Sequence, residues 1–249
     1  MKKRIIIIIL LIILGSGSAL YLRYPPIAIL GYHGFTEEKN PSDSFMMNID
    51  KFEEQLKYLK KHHYHTLTLQ ELYEYKQGKI TIPTKSVLIT MDDGYQSNYD
   101  LAFPLLKKYN MHAVVFYIGE NIEKENSSYM TLDTIKKVQQ EYNNIEIASH
   151  SYGLHYEEAL KQSKTEIEND FKKMKDIIST DFFAYPYGNY NDTIISVLKE
   201  QKYKLAFTFG PGSKHRKMYY FDNDYEIPRL NISNDMPLWK FILRLHLPF

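Results

Sequence analysis

The stretch Ser86-Val-Leu-Ile-Thr-Met-Asp-Asp-Gly-Tyr95 decides how the rest of this chain is read. Residues 87–91 form a short apolar run rich in β-branched side chains, the composition of a strand buried on both faces. The run ends abruptly in Asp92-Asp93-Gly94. A buried strand that delivers two adjacent carboxylates into a glycine turn sets like charges side by side, which is costly unless a cation compensates. An isolated Asp-Asp-Gly also occurs as a solvated turn. Here the rest of the chain supplies partners for both carboxylates.

Working outward, several further runs share the buried-strand composition. Residues 27–32 end on His33-Gly34, 145–149 end in His150, and 182–185 lead into Pro186-Tyr187-Gly188. The runs 112–118, 205–209 and 226–232 complete the set, the last carrying Arg229. Between them lie stretches of helical spacing. Residues 50–61 place Phe52, Leu56 and Leu59 on one face, and 163–178 do the same with Ile167, Phe171, Met174 and Ile178. Residues 98–109, 131–142, 192–201 and 237–245 also read as helices, with Pro104 marking a kink or a late start in the first of these. Residues 66–69 read as one more strand and 71–76 as a short helix. Strands alternating with helices predict a parallel β/α fold. His33, Asp92, Asp93, His150 and Tyr187 all follow the C-terminal ends of strands, the face on which barrel active sites assemble.

Composition narrows the function. The 249 residues suit one domain with one appended segment, and a net charge of +1 without a basic stripe gives no sign of a nucleic-acid binder. Cysteine is absent, which removes disulfides, thiolate metal sites and a cysteine nucleophile. A metal would therefore rest on His, Asp or Glu. At the N-terminus Lys2-Lys3-Arg4 precedes an uninterrupted apolar run over 5–14, and Gly17-Ser18-Ala19 offers small residues of cleavage-site type. The run 5–22 is also about as long as the ~17–25 residues that span a bilayer. Residues 1–23 are thus expected to be a signal peptide or membrane anchor, with 24–249 outside the cytoplasmic membrane, tethered to it or secreted to the cell surface.

His150-Ser-Tyr-Gly-Leu-His155 is the second informative stretch. Two histidines so spaced do not share a helical face. They can converge from a loop, held open by Gly153. Together with Asp93 they offer two imidazoles and one carboxylate, a set that holds a divalent cation and leaves positions free for water and substrate. The other aspartate then stands close enough to act as general base, worth typically ~10²–10⁴-fold in rate. Nine histidines in one chain make such pairs easy to find, so the pair counts only in this company.

Thr90-Met-Asp-Asp-Gly94, His150-Ser-Tyr-Gly-Leu-His155 and Ala184-Tyr-Pro-Tyr-Gly188 resemble, in order, the first three motifs of the polysaccharide deacetylases, the NodB-homology carbohydrate esterases of family 4. Gly31-Tyr-His-Gly34 and Ile227-Pro-Arg229 resemble one branch especially, the intercellular-adhesion deacetylases that act on poly-β-1,6-N-acetylglucosamine in biofilms. The resemblance runs over about residues 27–232. It implies a distorted (β/α) barrel with fewer than eight strands, and a catalytic domain over 24–249. It implies Asp92 as catalytic base, Asp93, His150 and His155 as metal ligands, Tyr187 as donor of a backbone N–H to the oxyanion, and His33 as general acid. The implied cofactor is a divalent metal ion, zinc first, with nickel, cobalt or iron also suited.

The sequence departs from the family pattern in two places. Ala184 stands where an arginine is usual, so the group that orients and ionises Asp92 is missing, and Arg229 is the candidate to replace it. Leu245-His246 imitates a late family motif, with Arg244 in place of its leucine, which makes His246 a second candidate acid behind His33. The reaction implied is metal-dependent removal of N-acetyl groups from a β-linked N-acetylglucosamine polysaccharide, releasing acetate. A peptidoglycan or chitooligosaccharide deacetylase shares that chemistry, and a non-catalytic, membrane-tethered glycan-binding module is the more distant alternative. The expected partners are the polysaccharide and, through the N-terminal segment, the membrane; the chain is expected to be a monomer. Tyr95, Tyr152 and Trp239 are candidates for stacking on sugar rings, with core packing the competing role, above all for Trp239. Two-carboxylate glycoside hydrolysis is disfavoured, because neighbouring aspartates do not flank a bond at ~5–9.5 Å.

Overall fold

The computed structural model describes residues 22–122, 128–210 and 216–247. The expected signal or anchor segment therefore lies, but for its last two residues, outside the described residues. Among the described residues no helix is long and apolar enough to cross a membrane.

The central strand is β5 (Ser86–Asp93), buried along its whole length as its composition requires. Parallel partners flank it: β1 (Ala28–Tyr32) on one side, β6 (Ala113–Tyr117) on the other. The path continues through β7 (Ile145–Ser149), β8 (Phe182–Ala184) and β9 (Leu205–Phe207), while β10 (Leu230–Asn231) pairs with the free side of β1. Among the described residues seven parallel strands thus form one path, in the order β10-β1-β5-β6-β7-β8-β9, and the two-residue β4 (His65–Thr66) pairs beside the start of β5. The sheet curls until its edges meet one stretch. Ile227 exchanges backbone hydrogen bonds with Ala206 and Thr208 at β9, and three residues later Leu230 pairs with Leu30 of β1. This is the distorted barrel with fewer than eight strands. A separate small sheet joins β2 (Gly34–Thr36) to β3 (Met46–Asn48) above the end of β1.

Alternation along the strands sorts the side chains into layers. Ile29, Leu88, Val114, Phe116, Ala148, Ala184 and Phe207 pack together in one cluster. Their sequence neighbours Leu30, Ile89 and Val115 instead meet the helices, in a core built with α1 (Ile49–Lys61), α3 (Phe103–Tyr109), α4 (Leu132–Glu141) and α7 (Leu238–His246). Phe183 and Tyr185 do the same against α5 (Lys164–Ile177) and α6 (Asp192–Glu200). The predicted faces of 50–61 and 163–178 are the ones buried.

Three boundaries differ from expectation, each for a local reason. The helix expected over 98–109 is split: Asn98–Ala102 form a wide π-type turn and the α-helix starts at Phe103. Pro104 lacks an N–H and crowds the carbonyl four residues back, so it fits only in the first turn. The strand expected over 66–69 stops at Thr66, because Thr68 caps α2 (Leu69–Lys76) in a reciprocal pair with Glu71. The strand expected over 226–232 shrinks to Leu230–Asn231, with Ile227 as an isolated bridge. Pro228 cannot donate to a ladder between them.

Candidate active site

The end of β5 departs from regular strand geometry. Asp93 has φ 70° and Gly94 φ 79°, both left-handed. Aspartate tolerates that region better than most side chains. At Gly94 a Cβ would lie 2.1 Å from the Tyr117 ring, so only glycine fits. The turn breaks the strict alternation of a strand, and both carboxylates act on His150. Each is nearly inaccessible to water.

The second element is the loop after β7. His150 follows the strand and is buried, and its N–H donates to the Tyr117 carbonyl at 2.9 Å. Its Nδ1 lies 2.8 Å from the Ala184 carbonyl, an acceptor only, so Nδ1 carries the proton and Nε2 keeps its lone pair. Burial lowers the pKa of this imidazole to about 4, against the pull of Asp92 and Asp93, so it is neutral at pH 7. The left-handed residue that turns the loop is Ser151, φ 68°, while Gly153, expected to hold the loop open, has no positive φ. His155 returns to the site with its ring centroid 5.1 Å from that of His150.

Asp93, His150 and His155 each bring a ligand atom within 4.8 Å of the others. Asp93 Oδ1 stands 3.6 Å from His150 Nε2 and 3.2 Å from His155 Nε2, yet it is buried without a hydrogen bond. Burial pushes this carboxyl up, but His155, His150 and His33 together bring it below its ordinary value. An orphaned carboxylate oxygen facing two imidazole nitrogens fits a divalent cation, which would satisfy all three at once.

Asp92 has a different partner. Arg229 is wholly buried and grips it with two bonds, Nη1 to Oδ1 at 2.6 Å and Nη2 to Oδ2 at 2.8 Å. Its Nε donates to the Thr208 carbonyl at 2.9 Å and Nη1 also reaches the Thr90 hydroxyl at 3.2 Å. The guanidinium carbon lies 5.4 Å from the Phe116 ring centre and 5.0 Å from that of Phe209. Burial alone would raise the Asp92 carboxyl; Arg229, His150 and His33 outweigh it and hold the group well below the usual carboxylate range. The cation missing at Ala184 thus enters from the opposite edge of the curled sheet.

His33, between β1 and β2, packs its ring 4.6 Å from Phe45 and 5.2 Å from Phe209, near enough to both aspartates for its charge to act on them. Tyr187 sits in a one-turn 3₁₀ segment with φ 56° and is 47% exposed, its ring 4.8 Å from His155. The structure therefore brings Asp92, Asp93, His150, His155, His33, Arg229 and Tyr187 to one mouth. His246 is elsewhere: it bonds Tyr58 Oη at 3.1 Å and lines a cavity with Ala28 and Ser86, at the strands' opposite ends. Tyr95 stacks on Tyr129 near Asp93, and Tyr152 lies under the Lys173 ammonium. Trp239 is 66% exposed on α7, so the core role weighed for it is wrong. Its helix buries Phe241 and Leu245 and turns the tryptophan outward.

Known proteins resemble this chain in sequence and in fold. A sequence model described as polysaccharide deacetylase matches residues 79–206, just over half of the chain. A poly-β-1,6-N-acetyl-D-glucosamine N-deacetylase of Staphylococcus aureus (strain MSSA476) is 32% identical over 239 residues, covering 88% of this chain and 80% of the relative. The chain belongs to the polysaccharide deacetylase family. Among solved structures of these deacetylases, PplD of Streptococcus pyogenes superposes with a TM-score of 0.79 at 23% identity, covering 90% of this chain and 100% of that one. IcaB from Ammonifex degensii superposes with a TM-score of 0.73 at 26% identity, covering 90% and 98%.

Asp170 is a residue of this deacetylase that the sequence did not single out. From α5 its carboxylate accepts the N–H groups of Tyr152 at 2.9 Å and Gly153 at 2.7 Å, inside the loop that separates the two histidines. In the sequence it is one acid on a helix of mixed charge, and nothing in its spacing marks it out.

Proposed function

We propose that this chain is a metal-dependent hydrolase that removes N-acetyl groups from poly-β-1,6-N-acetyl-D-glucosamine and releases acetate. The observation that carries this reading is Asp93 Oδ1, buried and unbonded, facing His150 Nε2 and His155 Nε2 beside an ionised Asp92. The substrate is supported by the name of the Staphylococcus relatives and by the motifs shared with that branch. We infer that Asp93, His150 and His155 hold the ion, with zinc, nickel, cobalt and iron all suited to the donor set. A divalent cation bound there supplies Lewis-acid polarisation of water and of the acetamide carbonyl.

The chain's own residues do the rest. Asp92 takes the proton of the attacking water, with Arg229 fixing its orientation. The Tyr187 N–H donates to the oxygen that gains charge during attack, as preorganised donors do in acyl transfer. His33, protonated, gives its proton to the departing amine. The product is a glucosamine unit that carries positive charge. We place the chain on the outer face of the membrane or at the cell surface, on the strength of the apolar run 5–22.

The test is acetate release from poly-β-1,6-N-acetylglucosamine oligomers, measured after chelation and after adding back single metals. Release that returns with metal, and is weak on peptidoglycan and chitin fragments, is the expected result. Asp92→Asn is expected to bind metal normally and nearly abolish release; full activity in that variant would reject the mechanism. No release on any of these glycans, with metal bound and the fold intact, would leave the glycan-binding module as the better reading.

A further inference from the structure

At the barrel end opposite Asp92 and Asp93 lies a cavity of about 160 Å³. Ala28 and Ser86 mark it as the place where β1 and β5 begin; Thr84, Lys85, Lys217 and His246 give it polar walls. The volume is roughly ten times the ~10–15 Å³ that one water molecule needs, so a polyatomic ion fits.

Lys217 is the unusual group here. It is only 5% exposed, and among the described residues no carboxylate or carbonyl pairs with its ammonium. An ammonium drawn partly out of water with no counter-charge is costly. Lys76, the other buried lysine among the described residues, shows how this protein otherwise meets that cost: it donates to the Tyr220 and Asp222 carbonyls and pairs with Asp224 at 3.2 Å. The surroundings of Lys217 are basic instead. Among the described residues Lys85 reaches the His62 carbonyl, at 3.3 Å, and His246 the Tyr58 hydroxyl, at 3.1 Å. His62, beside them, is pushed down by burial and then by Lys61, Lys85, His246 and His63.

We propose that this cavity binds a phosphate-class oxyanion, with the Lys217 ammonium as its principal partner and Lys85, His246 and the Thr84 hydroxyl around it. Several donors lining one cavity, with no charged acceptor among its described lining residues, suit a multiply charged oxyanion better than a single carboxylate. The anion has two sources, free phosphate or a glycerophosphate headgroup, the latter because Pro26 lines the cavity four residues after the apolar run 5–22.

Thermal unfolding of the full chain in a non-ionic detergent tests this, with inorganic phosphate compared against sodium chloride of equal ionic strength. At phosphate 100-fold above its Kd, Tm should rise by about 5–10 °C beyond the chloride control. Lys217→Met should raise Tm in plain buffer, by removing a buried charge, and should lose the phosphate increment. If that variant does not fold, the double variant Lys85→Gln, His246→Asn should weaken apparent phosphate affinity at least tenfold. Equal shifts with phosphate and chloride, or a phosphate increment unchanged in the variants that fold, would overturn the proposal. Glycerol 1-phosphate, titrated separately, assigns the source: a lower midpoint than inorganic phosphate points to a headgroup, a higher one to free phosphate.

Discussion

With both oxygens of Asp92 gripped by one guanidinium, the carboxylate has a fixed plane and a fixed charge. Removing one member of a buried pair strands the other, at about 3–5 kcal/mol. Arg229→Ala should therefore lose about that much stability at pH 7, and most of its deacetylase activity. The deficit should shrink on acidification. In the native protein Asp92 titrates below its unfolded value, so its contribution is intact at neutral pH and is lost as pH falls below ~3.9. In the variant, burial raises the same carboxyl, and protonation then favours the folded state. Thermal unfolding of both proteins between pH 7 and 4 checks this; a deficit independent of pH would contradict it. Arg229→Lys should rescue only part, because one ammonium cannot make the two parallel bonds or cover Phe116 and Phe209 in the same way. At this scale the sequence was informative wherever chemistry is local. Asp92-Asp93-Gly94 and His150 through His155 could be read because strand composition and turn residues sit next to the reactive groups. The partner of Asp92 could be read only as a gap at Ala184 and a spare arginine 45 positions on, since pairing across the curled sheet leaves no local pattern.

The loop from His150 to His155 is held from two sides. Gly119 and Glu120 donate to the Ser151 and Tyr152 carbonyls at 3.1 and 2.7 Å, and Asp170 of α5 accepts from Tyr152 and Gly153. Asp170 is raised above its ordinary value by burial, which the N–H groups of Gly153, Tyr152 and Leu154 only partly offset. It touches no reacting atom; it positions His155. Outer partners of metal ligands typically carry 10–100-fold in affinity. Asp170→Ala is expected to weaken metal binding by about that factor, measured by titration of the metal-free protein, and to regain activity when metal is saturating. A loss of stability with unchanged metal affinity would show a purely structural role. No sequence pattern pointed to Asp170 because its function depends on where α5 packs, not on its own spacing. The same holds for the split helix at Pro104 and the broken strand at Pro228. Period and propensity located these elements, while their ends were set by which N–H groups tertiary neighbours could use.

The barrel has two chemically different ends, and that division bears on the choice of proton donor. His33 leaves β1 at the end where β5 and β7 deliver Asp92, Asp93 and His150. His246 closes α7 at the end where β1 and β5 begin. A parallel sheet makes the assignment unambiguous, since every strand points the same way. The sequence supported the fold through its alternating elements, but it could not rank these two histidines by place, because both follow apolar residues in plausible motifs. Geometry ranks them. A general acid must reach the leaving nitrogen directly or through one water. A group at the far end of the strands cannot, with the packed interior between. His33→Ala should therefore lower kcat/KM by ~10²–10⁴-fold on oligomers that need a protonated leaving amine. His246→Ala should leave kcat/KM within experimental error. Metal content should be unchanged in both, since neither contributes a ligand to the Asp93, His150 and His155 set. An activated acetyl ester, whose leaving group needs no proton, should restore most of the His33→Ala rate. If instead the large loss falls on His246→Ala alone, the proton must enter by a route that does not pass the mouth of the barrel, and the role given to His33 is wrong.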